Sequence, residues 1–332
     1  MVIEKAVEYC RKTLQKVSRS FALTIPLVEK NILIPITVGY LEARILDSFE
    51  DGKGASAEQV RRRIDCMNSI ITILEKPDDN DIDKKLRELS AASQEFISNP
   101  HYAGLVQNMD MVLTVHKSMD PRAQSAILTW FSEMNRGMQK YLNKPIDTFQ
   151  ELDEYCYYVA GTVGGLTTEL LLHNATQISQ EQTTSLMALK NDCGLLLQKT
   201  NIIRDVREDI LQNEKIFWPA ELFREHALEP TQLLDPQNQE RAMQILHKML
   251  ANAERHILPA YSYVAAIPET FPGYRKFSAI NFQMAAETLV KIRNNPNVFY
   301  SQQPVKIDRS TRNEILADPV GRLERVLTAG AG

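Results

Sequence analysis

Gln198-Lys199-Thr200-Asn201-Ile202-Ile203-Arg204-Asp205-Val206-Arg207-Glu208-Asp209 is the stretch whose reading decides the fold. On a helix of about 3.6 residues per turn, positions four apart lie about 40° from one another. Asn201, Asp205 and Asp209 therefore form one polar file, with Gln198 beside it, while Ile202 and Ile203 face elsewhere and can pack. The pattern has a counterpart far upstream in Arg44-Ile45-Leu46-Asp47-Ser48-Phe49-Glu50-Asp51, where Asp47 and Asp51 share a face. Acid pairs at this spacing are common on solvated helix faces, and that is the competing reading. Both pairs here, however, follow apolar runs, Tyr40 to Leu46 and Gly194 to Leu197. Burying unpaired like charges is costly, and a metal ion is the usual remedy. Two such faces set opposite one another in a helical bundle would make an oxygen-lined cage for Mg²⁺, which takes a few carboxylates and completes its octahedron with water and phosphate oxygens. Arg44 and Arg204, each shortly before an aspartate, suit a diphosphate because guanidinium forks match phosphate oxygens.

Around these two stretches the pattern is helical throughout. Apolar residues at Ala6, Val7, Cys10 and Leu14 predict a helix over Glu4 to Val17. Pro26 and Pro35 are expected to bracket a break, followed by a helix from Ile36 to Asp51 that Gly52-Lys53-Gly54 ends. Further helices are expected over Ser56 to Leu74, Asp83 to Ile97, Leu105 to Ser118 and Pro121 to Leu142, with proline at most junctions. Thr148 to His173 reads as one long helix. Its Gly161, Gly164 and Gly165 predict close approach of a neighbouring helix or ligand, or a kink, because each interior glycine costs about 1 kcal/mol. Thr183 to Leu211 should be the second acid helix, then Asn238 to Ala266 broken near Pro259, Phe277 to Arg293, and Arg309 to Leu327 before a frayed tail from Ala329 to Gly332. Period-two strands and repeats are absent from the pattern, so a single all-α domain spanning the chain is expected.

Composition excludes several classes of function. The chain has 332 residues, 44% hydrophobic, with a net charge of −4, and no basic tract of the kind that holds a nucleic-acid backbone. An anionic small substrate stays compatible if metal ions supply positive charge locally. The four cysteines, Cys10, Cys66, Cys156 and Cys193, have neither zinc nor disulfide-framework spacing. The N-terminus lacks the regions of a signal peptide and no apolar run is long enough to cross a bilayer, so the chain is expected to be cytoplasmic, with membrane contact at most peripheral. Oligomeric state is not readable.

Five motifs in order resemble the squalene/phytoene synthase family, over Val17 to about Ile307: Ser18-Arg19-Ser20-Phe21; Tyr40 with Arg44 and Asp47 to Asp51; Tyr155-Cys156-Tyr157-Tyr158-Val159-Ala160-Gly161; Gln198 to Asp209; and Phe217-Trp218-Pro219. The resemblance implies an isoprenoid-synthase helical bundle with a central cavity, joining two prenyl diphosphates head to head. By it, Asp47, Glu50 and Asp51 are the first magnesium-binding acids and Asn201, Asp205 and Asp209 the second set. Ser18, Arg19, Ser20, Phe21, Tyr40, Arg44, Gln198, Asn201, Arg204 and Lys215 are implied substrate contacts. Arg19, Arg44, Arg204, Lys306 and Arg309 are implied contacts to the phosphates of NADPH. Tyr155 matches the family's catalytic tyrosine, its competing reading being a core tyrosine with a satisfied hydroxyl. Tyr40, Tyr158 and Phe21 are expected to face cationic intermediates.

The Gln-Lys-Thr-Asn run and Phe217-Trp218-Pro219 are more similar to the squalene-forming members than to the phytoene-forming ones. Farnesyl diphosphate is thus the expected substrate and squalene the product. Enzymes stopping at presqualene diphosphate, dehydrosqualene or phytoene are the alternative, and a non-catalytic assembly factor with the synthase fold is a remote one. Two departures bear on the reductive step. Val305-Lys306-Ile307-Asp308-Arg309 carries an aspartate where the family pattern reads Lys-Ile-Arg, an expected repulsion of the cofactor unless Arg309 takes over, and Ser278 to Gln283 lacks the usual proline before the glutamine. By the same resemblance, the C-terminal membrane anchor of eukaryotic members is not expected within these 332 residues.

Overall fold

Helices form where the sequence sets apolar residues three and four apart, and in the computed structural model they account for nearly all regular structure. The structure describes residues 2–175, 178–212 and 216–323, and among these no strand occurs. The all-α expectation holds. The chain packs as two compact units, one of Met1–Asn143 with Gly165–Ile178, the other of Lys144–Gly164 with Ser179–Gly332. The expected tail from Ala329 to Gly332 lies outside the described residues.

In the first unit the helix Lys30–Glu50 is the centre of packing, touching the helices Val2–Val17, Ala57–Glu75, Pro100–Gln107, Met109–Ser118 and Pro121–Tyr141. Its Ile32, Ile36, Val38, Leu41, Ile45, Leu46 and Phe49 are buried, as are Met67, Ile70 and Ile73 of the Ala57–Glu75 helix. This helix starts earlier than the prolines suggest. Pro35 lies inside it rather than at a break, as the sixth helical residue, and the helix continues despite the loss of that one N–H donor. Leu105 to Ser118 is likewise two helices, parted at Asn108.

The second unit gathers around the helix Asp192–Arg204, which packs on Phe149–Cys156, Gln239–Glu254, Ile257–Ala266 and Pro272–Ile292. The long helix expected over Thr183 to Leu211 is three: Gln180–Leu189, Asp192–Arg204 and Val206–Leu211. The expected Thr148 to His173 helix contains a π-helical turn over Tyr157–Gly161, a distortion that often marks a functional site. The glycines explain both departures. A Cβ on Gly164 would lie 2.1 Å from the Lys190 carbonyl oxygen, and one on Gly194 would lie 2.3 Å from that of Ala160. The two segments thus meet backbone to backbone, which is the close approach the glycine spacing predicts.

Charge is also buried in these cores. Glu42 and His116 are 0% and 1% exposed, with His116 Nδ1 2.9 Å from Glu42 Oε1. Burial pushes the Glu42 carboxyl up against the pull of His116, while Glu42 outweighs burial to raise His116. Nearby, burial and Glu42 push the Cys10 thiol up to about 12. Both raised values mean that the folded pair binds a proton more tightly than the unfolded chain, whose histidine releases it near pH 6.5. The contribution of the Glu42 shift is therefore fully present only below its unfolded value of 4.5 and that of the His116 shift below 6.5, and each is lost as pH rises through the folded value. Urea titrations from pH 6 to 9 should show the wild type losing stability with rising pH more steeply than Glu42→Gln. Parallel slopes for the two proteins count against the shared proton.

Candidate active site

Between Ile36 and Glu50 every residue is buried except Tyr40, Arg44 and Asp47. Spaced four and three apart, these make one stripe on a helix otherwise enclosed on all sides. Arg44 Nη1 lies 3.2 Å from Asp47 Oδ2, and the guanidinium sits over the rings of Tyr40 and Tyr102, 5.8 and 5.3 Å from their centroids. Arg44 Nε is buried with no partner. The Ser18 to Phe21 segment joins this stripe. Phe21 N–H donates to Ser18 Oγ at 3.0 Å, Tyr40 hydroxyl donates to the Val17 carbonyl at 3.4 Å, and the Phe21 and Tyr40 rings lie 5.2 Å apart. Arg19 and Ser20 are exposed. Of the acids, Asp51 is the exposed C-cap of the helix, whereas Glu50 is turned inward and buried. Burial pushes the Asp47 carboxyl up to about 6, opposed by Arg44 and assisted by Asp51.

The second unit repeats this arrangement. Leu195, Leu196, Lys199, Thr200, Ile202, Ile203 and Val206 are buried, while Gln198, Asn201, Arg204, Asp205 and Asp209 are not. The helix is interrupted at Asp205, yet Asp205 N–H still donates to Asn201 O at 2.9 Å and Asp209 N–H to Asp205 O at 3.1 Å. The polar file therefore survives the break. Arg204 grips Asp205, with Nε 2.7 Å from Oδ1. Within neither unit do three His, Cys, Asp or Glu side chains among the described residues form a ready-made cation site.

Tyr155 is buried and stacks on Phe217 with centroids 4.8 Å apart. The next residue, Trp218, donates its indole N–H to the Ile202 carbonyl at 3.1 Å, one of the carbonyls that a helix end leaves without an internal partner. Phe217-Trp218-Pro219 thus supports both the tyrosine and the second acid helix. Lys215 lies outside the described residues. Lys306 and Arg309 are exposed. Asp308 between them does not stand as a bare negative charge: it accepts from Thr311 N–H at 2.8 Å, capping the helix Arg309–Ala317, and pairs with Lys291 at 3.3 Å. Those bonds hold its carboxyl down at about 2.

Behind the second acid file lies a network of which the sequence motifs include Lys199 alone. Lys199 is 1% exposed, its ammonium 2.6 Å from Asp153 Oδ1 and 2.9 Å from His256 Nε2. An ammonium only donates, so Nε2 accepts and the Nδ1–H of His256 donates to Asp192 Oδ1 at 2.7 Å. Arg255 also pairs with Asp153. Burial pulls the Lys199 pKa down against Asp153, whose own carboxyl is held low by Lys199 and Arg255 despite burial. The network fixes Phe149–Cys156, whose last two residues open the Tyr155 motif, to the acid helix.

Residues 14–311 match Squalene/phytoene synthase. The chain belongs to the squalene/phytoene synthase family. Squalene synthase LSS of Botryococcus braunii is 32% identical over 305 residues, 88% of this chain and 59% of its own length. The squalene synthase of Nicotiana benthamiana is 32% identical over 293 residues, 88% of this chain and 66% of its own. The chain thus spans 59% to 66% of the length of these two relatives. A solved structure of TcSQS with the ligand E5700 matches with a TM-score of 0.85 at 26% identity, covering 98% of this chain and 91% of that one. A dehydrosqualene synthase with bound ligand matches in fold, with a TM-score of 0.68 at 20% identity over 97% of this chain and 98% of that one. The family resemblance of the sequence motifs is borne out. Among the described residues no helix is long and apolar enough to cross a membrane.

Removing one member of a buried pair leaves the other uncompensated. Lys199→Met should therefore destabilise the fold by about 2–4 kcal/mol, the low end reflecting the Arg255 that remains on Asp153. A loss under about 0.5 kcal/mol in urea unfolding would show that the network is not structural.

Proposed function

We propose that the protein condenses two farnesyl diphosphates head to head, through presqualene diphosphate, to squalene, with Mg²⁺ and with NADPH as reductant. The observation that carries this reading is the pair of acid-and-arginine files, Tyr40, Arg44 and Asp47 being the only residues not buried between Ile36 and Glu50, and Gln198, Asn201, Arg204, Asp205 and Asp209 lying on the partly open side of a helix that buries Leu195, Leu196, Lys199, Thr200, Ile202 and Ile203. Their donor sets suit the groups concerned. Asp47 is a carboxyl that burial and a neighbouring acid make reluctant to ionise, a penalty that a divalent cation relieves. Asp51, Asn201, Asp205 and Asp209 add hard oxygen ligands of the kind Mg²⁺ prefers. Arg44 offers a buried, unpartnered Nε–H beside Asp47, a donor left over for an anion.

Mg²⁺, when bound, supplies positive charge against a leaving diphosphate, and NADPH supplies hydride for the last step. Arg44 and Arg204 bind diphosphate oxygens through their forks, with Ser18, Arg19, Ser20 and Gln198 as further polar contacts. The allylic cation left after ionisation is attacked by the double bond of the second farnesyl chain. The ring faces of Phe21 and Tyr40 steady that charge. Loss of a proton closes the cyclopropane, and the Tyr155 hydroxyl directs that proton toward the released diphosphate. Apolar side chains keep water from the cation. Lys306 and Arg309 contact the cofactor phosphates, and Asp308, already paired with Lys291 and the helix N-terminus, opposes them less than its sequence position suggests.

Purified protein given farnesyl or geranylgeranyl diphosphate with Mg²⁺, with and without NADPH, should yield squalene only from the farnesyl sample containing NADPH. Dehydrosqualene or phytoene formed regardless of NADPH overturns the product. Asp47→Ala and Asp205→Ala should each lower turnover by more than about a hundredfold while far-UV circular dichroism is retained. Inertness of the wild type under all these conditions favours an assembly factor.

A further inference from the structure

The helix that carries Asp47 and Asp51 ends on a guanidinium from the next helix. Arg63, on Ala57–Glu75, is 6% exposed. Its Nε donates to the Phe49 carbonyl at 2.8 Å, its Nη2 to the Glu50 carbonyl, and its Nη1 to the Gly54 carbonyl at 3.1 Å. Phe49 and Glu50 are in the last turn, where carbonyls lack helical partners, and Gly54 lies beyond the turn that follows. One planar fork therefore holds the chain on both sides of Asp51. The rest of the turn is tied as firmly. Lys53 N–H donates to the Phe96 carbonyl at 2.9 Å, a Cβ on Gly52 would crowd Phe49 O and Phe96 Cβ at 3.1 and 3.2 Å, and Ser56 opens the next helix with a reciprocal capping box to Gln59.

We propose that Arg63 is a positioning residue that presets the Asp47 and Asp51 carboxylates for a divalent cation by clamping the helix end between them. This rests on the cation-binding reading of the acid helices given above. Two like charges one turn apart repel, and a helix end free to fray would separate them. The clamp opposes that motion through backbone carbonyls alone. The buried positive charge of Arg63 acts in the opposite direction, because a fixed cation near the acids lowers their affinity for another cation. Burial itself disfavours that charge and pulls its pKa down, an effect that Glu50 and Asp51 offset only in part. The two roles thus predict effects of opposite sign, and variants separate them.

Arg63→Lys keeps the charge and loses the fork; Arg63→Met loses both. The readout is Mn²⁺ binding to the full chain by electron paramagnetic resonance, with Asp47→Ala as the control that assigns the signal to this pair. Positioning predicts a dissociation constant raised about tenfold in both Arg63→Lys and Arg63→Met, with Lys→ammonium charge giving no rescue. An Arg63→Lys protein with wild-type affinity, or an Arg63→Met protein that binds more tightly, overturns the proposal. If Arg63→Met is recovered unfolded, Arg63→Gln, neutral but with an amide donor, decides by the same sign. A wild type that binds no Mn²⁺, with or without inorganic diphosphate, refutes the cation reading and this inference together. Wild-type binding that Asp47→Ala abolishes but Arg63→Lys leaves intact refutes this inference alone.

Discussion

A charge taken out of water must meet a partner, and that constraint arranges both units of this protein. Each is built around a helix too thoroughly surrounded to leave its polar residues to solvent. In the first, Glu42 is met by His116 and Arg63 by three carbonyls. In the second, Lys199 is met by Asp153 and His256, and His256 in turn by Asp192. Such groups add little net stability when paired but cost several kcal/mol when one partner is lost. Their effect is to fix which way each helix is turned, and so which residues remain along its open stripe.

The open stripes are consequently small and chemically uniform. Tyr40, Arg44 and Asp47 are what is left on one helix after packing has enclosed everything else from Ile36 to Glu50. The second file keeps its line across a helix break because Asp205 and Asp209 still donate to residues four back, with Trp218 serving the Ile202 carbonyl near the interruption. An aromatic motif legible as a family signature thereby acquires a physical role: it caps one element and stacks on the tyrosine of another.

The acid files were legible in the sequence because side-chain spacing on a helix survives small irregularities. The irregularities themselves were less so. The π turn at Tyr157–Gly161 and the break near Lys190 depend on which backbone passes nearby, and only the glycines at 161, 164 and 194 hint at it. Arg63, Lys199 and Glu42 went unread for a different reason. None of the three belongs to an acid file, yet Lys199 has Leu195, Leu196, Ile202 and Ile203 at four and three residues to either side, and Glu42 has Val38, Ile45 and Leu46. Apolar neighbours at those offsets mark a charge on the buried face. Arg63, flanked by Val60, Cys66 and Met67, gives a weaker form of the same signal.

The arginines on the stripes differ in kind from the arginine behind them. Arg63 is spent on backbone carbonyls and has no reason to move. Arg44 and Arg204 hold Asp47 and Asp205 in pairs whose side chains are 24% and 26%, and 26% and 30%, exposed. Pairs that keep this partial access to water cost less to open than a fully enclosed pair such as Glu42 and His116. On the proposed function, a cation and a diphosphate arriving together exchange each weak pair for two stronger ones, carboxylate to metal and guanidinium to phosphate. Without a ligand, each pair keeps two charged groups of the site mutually neutralised beside an apolar core. The same contact that stabilises the empty protein is thus one that a metal diphosphate can displace at low cost.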